Sequence, residues 1–562
     1  MIVMGIYCGH ESGAAIIKDG IILADVAEER FSRLKHCRDI PIKSISYCLQ
    51  HAGLDDINQV DYIAFAGLNT PREVEVLLDL PEKTSVKKQI ARTFLGSSWG
   101  AQRISLPAYI PTFTLKDKNK FINVEHHLAH AASAYYTRPT NDRCLIFTID
   151  GAGDNVSTAL WQGQGGTIEP LEKLFRQASI GWAFGVVTEG LHWWHGDGEG
   201  KTMGLAPYGD RAQCPGILDK YFPVFDGARL VRPTNLGAAY YWVANSSFQW
   251  HFDEAYEIEK MVEKYGAENV AAEAQYQLEK CVQEYVFGWA EKAQCKNTAY
   301  AGGVFLNVKL NQRIWNNKKD RILEQHIFPN CGDSGLALGA ALYVYYQHNP
   351  FAGAPLQNLY LGPSYDNDQI KQLLDDRRLN YQYLENPART AAEMLAQNKI
   401  LGWLQGRMES GPRALGNRSI LMSPLGNENK DIINAKVKFR EAFRPFCPSL
   451  LWEKRDEYLR DYRDEYFMIT SFDVKPEKAA RIPSVVHVDG TLRPQMVQQD
   501  TNPLYWELIS EFGSLTGEYI ILNTSFNIKG EPIINHPREA IRCFFDNGLD
   551  ALIMGNYLLV KK

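Results

Sequence analysis

Two histidines four residues apart, His126 and His130 in VEHHLAHAASAYY (124–136), are the sharpest chemical feature of the chain. The alanine-rich stretch favours helix, and i,i+4 spacing projects both imidazoles from one face, the separation that two ligands of one metal ion require. His127 with His130, at i and i+3, competes for the same geometry. Carboxylates often complete such a shell. Asp150, closing the apolar run LIFTID, and Asp333, in NCGDSG, both stand at polar turns beside apolar runs. The stretch has no glutamate in the H-E-x-x-H position, which gives a zinc-protease reading little support.

A second set is cationic and lies in the last third. It comprises QGRMESGPRALGNRSI (Arg407, Arg413, Arg418), NAKVKFREAFRPF (Lys436, Lys438, Arg440, Arg444), GTLRPQ (Arg493) and NTSFNIKGEP (Asn523, Asn527, Lys529). Many of these bases adjoin Gly, Pro, Ser or Asn instead of glutamate-spaced helix faces. Loop cations of this kind suit bidentate capture of an anion, a phosphate or a carboxylate. A third set is glycine-rich: GDGEGKTMGLAPYG (196–209), with Lys201, and AGGVFLNVKLN (301–311), with Gly302, Gly303 and Asn307. His195 stands where a Walker loop needs glycine, so the first piece is not a P-loop, although both could meet a nucleotide through backbone N–H groups.

The elements that must carry these residues read as α/β. Residues 2–24 form a strand (IVMGIY), a polar turn (CGHESG), a returning strand (AAIIK) and a hairpin at Asp19-Gly20; residues 145–166 repeat the scheme with LIFTID, GAGDNVS and TALWQGQGG. That repeat predicts a duplicated lobe with a cleft between the copies. A helical stretch covers 254–294, and the Pro/Gly-rich segment 348–365 is the best linker, so a domain boundary is expected near 355. Helices at 369–376 and 388–398 and a strand at 399–404 continue the α/β pattern beyond it. The clustered aromatics Tyr240, Tyr241, Trp242 and Trp250 suit either an acceptor pocket or a packed subdomain.

Sixty Lys+Arg against 66 Asp+Glu leave a net charge of -6, which argues against nucleic acid as a partner. The ten cysteines contain no C-x-x-C pair, so a reducing compartment is the default. The N-terminus has no signal-peptide pattern, and the apolar stretch at 334–346 is shorter than the roughly 20 residues of a membrane span. The expectation is a cytoplasmic protein with no membrane contact.

Together, HESGAAIIKDG, EERFSRLKH, VEHHLAHAASAYY, IDGAGD, GKTMGLAPYG, AGGVFLN, GPRALGNRS, RPFCPS, VVHVDGTLRPQ and NTSFNIKGEP closely resemble the NodU/CmcH/tobramycin-type O-carbamoyltransferases, in the same order over nearly the whole chain. The resemblance implies a duplicated actin-like (ASKHA, TsaD-like) domain over 1–355, followed by a YrdC-like α/β domain over 356–562. It implies transfer of a carbamoyl group from carbamoyl phosphate to a small-molecule hydroxyl, through a carbamoyl-adenylate made from ATP with its Mg2+. Biosynthesis of an antibiotic or other secondary metabolite is the setting it suggests.

By resemblance, Lys438, Arg413, Arg444 and Arg493 hold carbamoyl phosphate and the nucleotide phosphates, with Arg418, Asn523, Asn527, Lys529 and Lys201 as additions. Gly302, Gly303 and Asn307 lie along the nucleotide. His126, His130, Asp150 and Asp333 hold a metal ion, Fe2+ by resemblance, with Zn2+ or Mn2+ equally compatible with the donor set. His10, in the first turn, becomes the general base, since its ordinary pKa of about 6.5 lies near working pH. Lys35 adds positive charge beside the carbamoyl oxygen. The first motif reads GHESGAA where many relatives have HDxSA, so Glu11 replaces aspartate beside His10. Competing readings are a tRNA threonylcarbamoyl-type modifying enzyme, against which the charge speaks, and a nucleotide-switched actin-like binding protein. A homodimer is the default oligomer.

Overall fold

The computed structural model describes residues 1–80, 113–234, 236 and 253–561. The aromatic cluster Tyr240, Tyr241, Trp242 and Trp250 lies outside the described residues. Mixed α/β architecture is built from twenty-three strands among the described residues, and the first twelve hold the site. They are β1 (Ile2–Tyr7), β2 (Gly13–Lys18), β3 (Ile21–Ala27), β4 (Tyr62–Ala66), β5 (Phe121–Val124), β6 (Cys144–Gly153), β7 (Val156–Gln164), β8 (Thr167–Phe175), the small hairpin β9 (Val224–Asp226) and β10 (Arg229–Arg232), β11 (Asn297–Ala301) and β12 (Glu324–Ile327).

Two five-stranded sheets share one topology. The first runs β3-β2-β1-β4-β5 and the second β8-β7-β6-β11-β12. In each, the central strand pairs antiparallel with the next strand in sequence and parallel with a later one: β1 with β2 and β4, β6 with β7 and β11. The repeat legible in IVMGIY and LIFTID is therefore a repeat of strand order and direction. Its turns match too. Asp19 and Gly20 (φ 50° and 83°) close β2–β3, and Gly165 and Gly166 (φ 58° and 91°) close β7–β8, the paired positive φ that fits the right-handed twist of a hairpin.

Both faces of β1 are covered, which is why it reads as an unbroken apolar run. The cover on one face is the helix Leu336–His348, the apolar stretch of the sequence. Its glycines and alanines let backbones approach: a Cβ at Gly5 would lie 1.8 Å from Ala337 O, and one at Gly339 would lie 2.0 Å from Ala129 O in the helix His126–Tyr135. The helix thus locks β1 to the histidine helix in the protein interior. Among the described residues no helix is long and apolar enough to cross a membrane. The helical stretch at 254–294 is two helices, Glu254–Tyr265 and Ala267–Ala293, interrupted at Gly266 (φ 87°).

From 382 onward an eight-stranded sheet follows. Its strands are β13 (Gln382–Tyr383), β14 (Leu401–Leu404), β15 (Arg418–Met422), β16 (Cys447–Leu451), β20 (Gln495–Val497), β21 (Ile520–Ser525), β22 (Ala551–Met554) and β23 (Tyr557–Val560), in the order β13-β23-β22-β14-β15-β21-β16-β20. A three-stranded sheet of β17 (Leu459–Arg460), β18 (Phe472–Val474) and β19 (Thr491–Leu492) stands beside it. Arginines tie the large sheet to the N-terminal one: Arg33 donates to Ile533 O and Pro532 O at 2.7 Å each, Arg30 to Gly411 O at 2.8 Å, and Arg407 to Leu23 O at 2.8 Å.

Arg418 departs from its expected role in anion binding. It is fully buried, and its guanidinium donates to the carbonyls of Gln405, Gly406, Asn417, Pro363 and Asn535. Those bonds hold the loop 405–417 in place and leave the side chain committed to backbone. Arg418→Met removes a donor from five carbonyls; Pro363 O and Asn417 O keep the N–H groups of Met408 and Gln405, and the carbonyls of Gln405, Gly406 and Asn535 each cost about 1–3 kcal/mol when buried and unmet. We expect a fall in Tm of roughly 5 °C or more by scanning calorimetry. Lys529→Met, at an exposed turn, should stay within about 0.5 kcal/mol of the parent. An Arg418→Met protein of parental Tm that had lost phosphate binding would return Arg418 to the anion site.

Candidate metal and anion sites

The helix His126–Tyr135 begins directly after β5, and its first two turns present His126 and His130 with ring centroids 4.8 Å apart. Asp150, on β6, and Asp333, in the turn before the helix Leu336–His348, close on them from the second lobe. His130 Nε2 lies 3.2 Å from Asp150 Oδ2 and 3.5 Å from Asp333 Oδ1; His126 Nε2 lies 3.6 Å from each of the same two oxygens. One ligand atom from each residue lies within 4.8 Å of the others. An ion with bonds of about 2.1 Å holds tetrahedral ligand atoms about 3.4 Å apart, so the spacing fits a metal. His126 Nε2 is buried without a hydrogen-bond partner, the mark of a missing ligand. Against its burial, Asp150 and Asp333 push His130 up to about 9, and Asp150 is held well below the ordinary carboxylate range by the two imidazoles in spite of its own burial. Two imidazoles and two carboxylates suit iron, zinc or manganese.

The surroundings fix this set. Tyr7, ending β1, donates to Asp333 Oδ2 at 2.5 Å, and the His126 N–H donates to Asp154 at 2.9 Å. A Cβ at Gly153 would sit 2.1 Å from the His126 ring, so only glycine fits. Gly302 (φ 99°) lies against Ile149 O, and a Cβ at Gly303 would come 3.0 Å from Asp150 Oδ1. The glycine pair therefore abuts the metal set. His127 is settled otherwise: Nδ1 meets Thr148 Oγ1 and Nε2 meets Val156 O, both at 2.9 Å, and burial pushes it down to about 3. It is a neutral structural histidine, and the i,i+3 pairing falls away.

His10 Nδ1 lies 3.4 Å from Asp333 Oδ2, and its side chain is 46% exposed. Partial burial opposes, and Asp333 and Glu11 outweigh, so the imidazole is raised. Lys35 pairs with Asp197. His36 touches both Glu11 and Asp197. The sequence reading missed Tyr7, His36 and Asp197 as functional candidates; Asp197 lay inside the quoted glycine piece and His36 ended EERFSRLKH, but no spacing marked either.

The cations form one cluster. Arg413 is pushed down to about 9 by burial and then by Arg493, and Arg440 to about 9 by burial and then by Arg444. Lys438 falls well below its ordinary value through burial, with Arg440 and Arg444 adding to it. Its Nζ donates to Asn527 Oδ1 at 2.7 Å and to Ser525 O. Arg413 Nε is buried without a partner, and Arg493 donates to Cys447 Sγ; Arg493 and Cys447 line a cavity of about 50 Å³ with Lys309, His487, Met203 and Phe446. Cations depressed by one another are what an anion would relieve. Asn523 stands opposite Cys447 in the sheet register, its Nδ2 on Ala414 O and Ser449 Oγ and its Oδ1 buried without a partner.

Three other expected binders are engaged as follows: Asn307 caps its helix and exchanges amide hydrogen bonds with Gln275, Lys201 pairs at 3.2 Å with Glu441, which also faces Arg444 of the cluster at 3.8 Å, and Lys529 is exposed. The cluster comes within electrostatic reach of the metal set: buried Cys331, two residues before Asp333, feels Arg413 as well as Asp150 and Glu11.

Residues 2–342 match the family described as Carbamoyltransferase N-terminus, and residues 392–561 match Carbamoyltransferase C-terminus. Nodulation protein NolNO of Sinorhizobium fredii is 35% identical over 98% of this chain and 79% of its own length. Nodulation protein NolO of Bradyrhizobium diazoefficiens is 35% identical over 78% of this chain and 79% of its own. The crystal structure of T.kodakarensis HypF superposes with a TM-score of 0.32 at 12% identity, over 61% of this chain and 48% of that one, so the chain spans about half of its length.

Proposed function

The chain belongs to the carbamoyltransferase family and is a carbamoyltransferase, and from that premise we propose that it converts carbamoyl phosphate, water and ATP into carbamoyl-adenylate, phosphate and pyrophosphate, and passes the carbamoyl group to a hydroxyl of a small-molecule natural product with release of AMP. In this reading residues 1–355 form an actin-like transfer domain and 356–562 a YrdC-like activation domain. The observation that supports it is a two-imidazole, two-carboxylate set together with a cluster of half-buried and buried cations held down by burial and by one another's charge.

Carbamate is a poor electrophile, and activation as a mixed anhydride with AMP supplies a good leaving group. Two anionic reactants must approach one another to form it. Arg413, Arg440, Arg444 and Arg493 offset their charge, and Lys438, held by Asn527 and Ser525, adds a fixed cation. His126, His130, Asp150 and Asp333 would hold a divalent ion, which would supply Lewis-acid stabilisation of phosphate charge. Gly303, beside Asp150 Oδ1, would bring its backbone against the nucleotide, with Gly302 packed on Ile149 O behind it. His10 takes the acceptor proton at Nε2 while Nδ1 faces Asp333, an orientation of the kind an acid–base histidine needs. Lys35 offers positive charge near the carbamoyl oxygen.

His10→Asn should leave pyrophosphate release intact and lower transfer by about 10²–10⁴-fold; loss of both activities would remove His10 from the base role. The reading as a whole is tested by incubating the protein with ATP, carbamoyl phosphate and a panel of hydroxylated metabolites. Mass spectrometry should find a carbamoyl adduct dependent on both co-substrates. A salt-dependent shift of tRNA in a gel, with no adduct on any metabolite, would favour the tRNA-modifying reading instead.

A further inference from the structure

His36 stands where the two lobes and the proposed base come together. It is one of the few non-glycine residues in left-handed backbone (φ 53°), a strained conformation that surrounding contacts must hold in place. Its N–H donates to Glu29 Oε2 at 2.9 Å, which fixes the turn. Its ring then spans two carboxylates: Nδ1 is 3.3 Å from Glu11 Oε1 and Nε2 is 3.2 Å from Asp197 Oδ1. Glu11 follows His10, and its other oxygen accepts the Ser334 N–H at 3.0 Å, one residue from Asp333. Asp197 comes from the opposite lobe, on the turn between the helices Ile180–Gly190 and Glu199–Leu205, where His192 and Gly196 also take positive φ (63° and 87°). The same Asp197 oxygen takes the Lys35 ammonium.

We propose that His36 is a positioning residue for carbamoyl transfer: by bridging Glu11 and Asp197 it clasps the 191–198 turn across the cleft and fixes Lys35 and His10 in mutual register. The role rests on the transfer chemistry proposed above; the clasp itself does not. Burial opposes a charged ring, yet the hydrogen bond to Asp197 and the facing Glu11 carboxylate push His36 up to about 9, so it acts as a cation between two anions at neutral pH. The clasp differs from a simple surface pair because each of its members also holds something else: Glu11 holds the Ser334 turn, Asp197 holds Lys35, and the neighbouring Arg444 feels Asp197 from the cation cluster.

The test uses the full-length metal-loaded protein and three variants. His36→Asn keeps a residue that tolerates left-handed backbone but is too short to bridge, His36→Arg restores a cation of sufficient reach, and Asp197→Asn removes the far anchor. Hydrogen exchange over 191–198 should rise in His36→Asn and Asp197→Asn, rise no further in the double variant, and return toward the parent in His36→Arg. In the reaction of ATP with carbamoyl phosphate and the metabolite panel, pyrophosphate release should be unchanged in His36→Asn, while AMP formed per pyrophosphate falls at least about tenfold, the cost of misplacing reacting groups. Unchanged exchange in His36→Asn, or additive effects in the double variant, overturns the clasp. Raised exchange with an unchanged AMP yield overturns the positioning role. A parent protein that releases no pyrophosphate overturns the function on which that role rests, and the exchange data then still decide the clasp.

Discussion

His126→Ala is expected to leave less than about a tenth of an equivalent of metal on the purified protein and to abolish transfer. The reason lies in the geometry. Three of four ligands remain, but Asp150 and Asp333 would keep their negative charge in a pocket that has lost one of the two imidazoles facing both, and outer interactions alone change affinity by about 10–100-fold. His127→Ala provides the contrast. It removes the hydrogen bonds to Thr148 and Val156, so it should lower Tm while metal content stays near that of the parent. Elemental analysis of both variants decides. Full metal retention in His126→Ala, or loss in His127→Ala with the fold intact, would move the metal to a different histidine pair. The same measurement on the parent identifies the ion, for which the donor set admits iron, zinc or manganese.

Arg493→Ala is expected to reduce carbamoyl-phosphate-dependent pyrophosphate release by about 10²–10³-fold. Its effect on the ligand-free fold should have the opposite sign to that of an ordinary buried arginine. Burial depresses Arg413 and Arg444, and the charge of Arg493 lowers both further, so removing that charge relieves repulsion, and Tm should hold or rise. The parent should gain stability with pyrophosphate, by mass action on an anion site, and the variant should gain much less. Activity bought at the cost of stability is the usual balance at such sites. A large fall in Tm with normal pyrophosphate release would make Arg493 a structural residue like Arg418. Arg418→Met and Arg493→Ala therefore form a matched pair with opposite outcomes.

How much of this was legible in the sequence depended on distance along the chain. The duplicated lobe could be read because its signals are local: an apolar run, a small-residue turn and a hairpin turn such as Asp19-Gly20. The i,i+4 pair could be read because helical geometry fixes it within four residues. Which of His126 and His127 turns toward the carboxylates could not, since Thr148 and Val156, on the β6–β7 hairpin, make that choice. Arg413 and Arg418 sit five residues apart in one motif, yet the first has a buried Nε without a partner and the second is bound to five carbonyls. Sequence context is the same for both; only the path of the loop 405–417 separates them. Tyr7 gave no signal at all as the last residue of an apolar strand, and its partner Asp333 is 326 residues away. Asn307 has a role that the sequence did not announce, since its side chain caps the helix Val308–Asn317.

The central claim is activation of carbamoyl phosphate by adenylation, and pyrophosphate is its direct signature. With ATP, Mg2+ and the metal-loaded protein, pyrophosphate should appear only when carbamoyl phosphate is added, and AMP should follow when an acceptor is present. Formation of ADP and phosphate in place of AMP and pyrophosphate, or pyrophosphate release indifferent to carbamoyl phosphate, would contradict it.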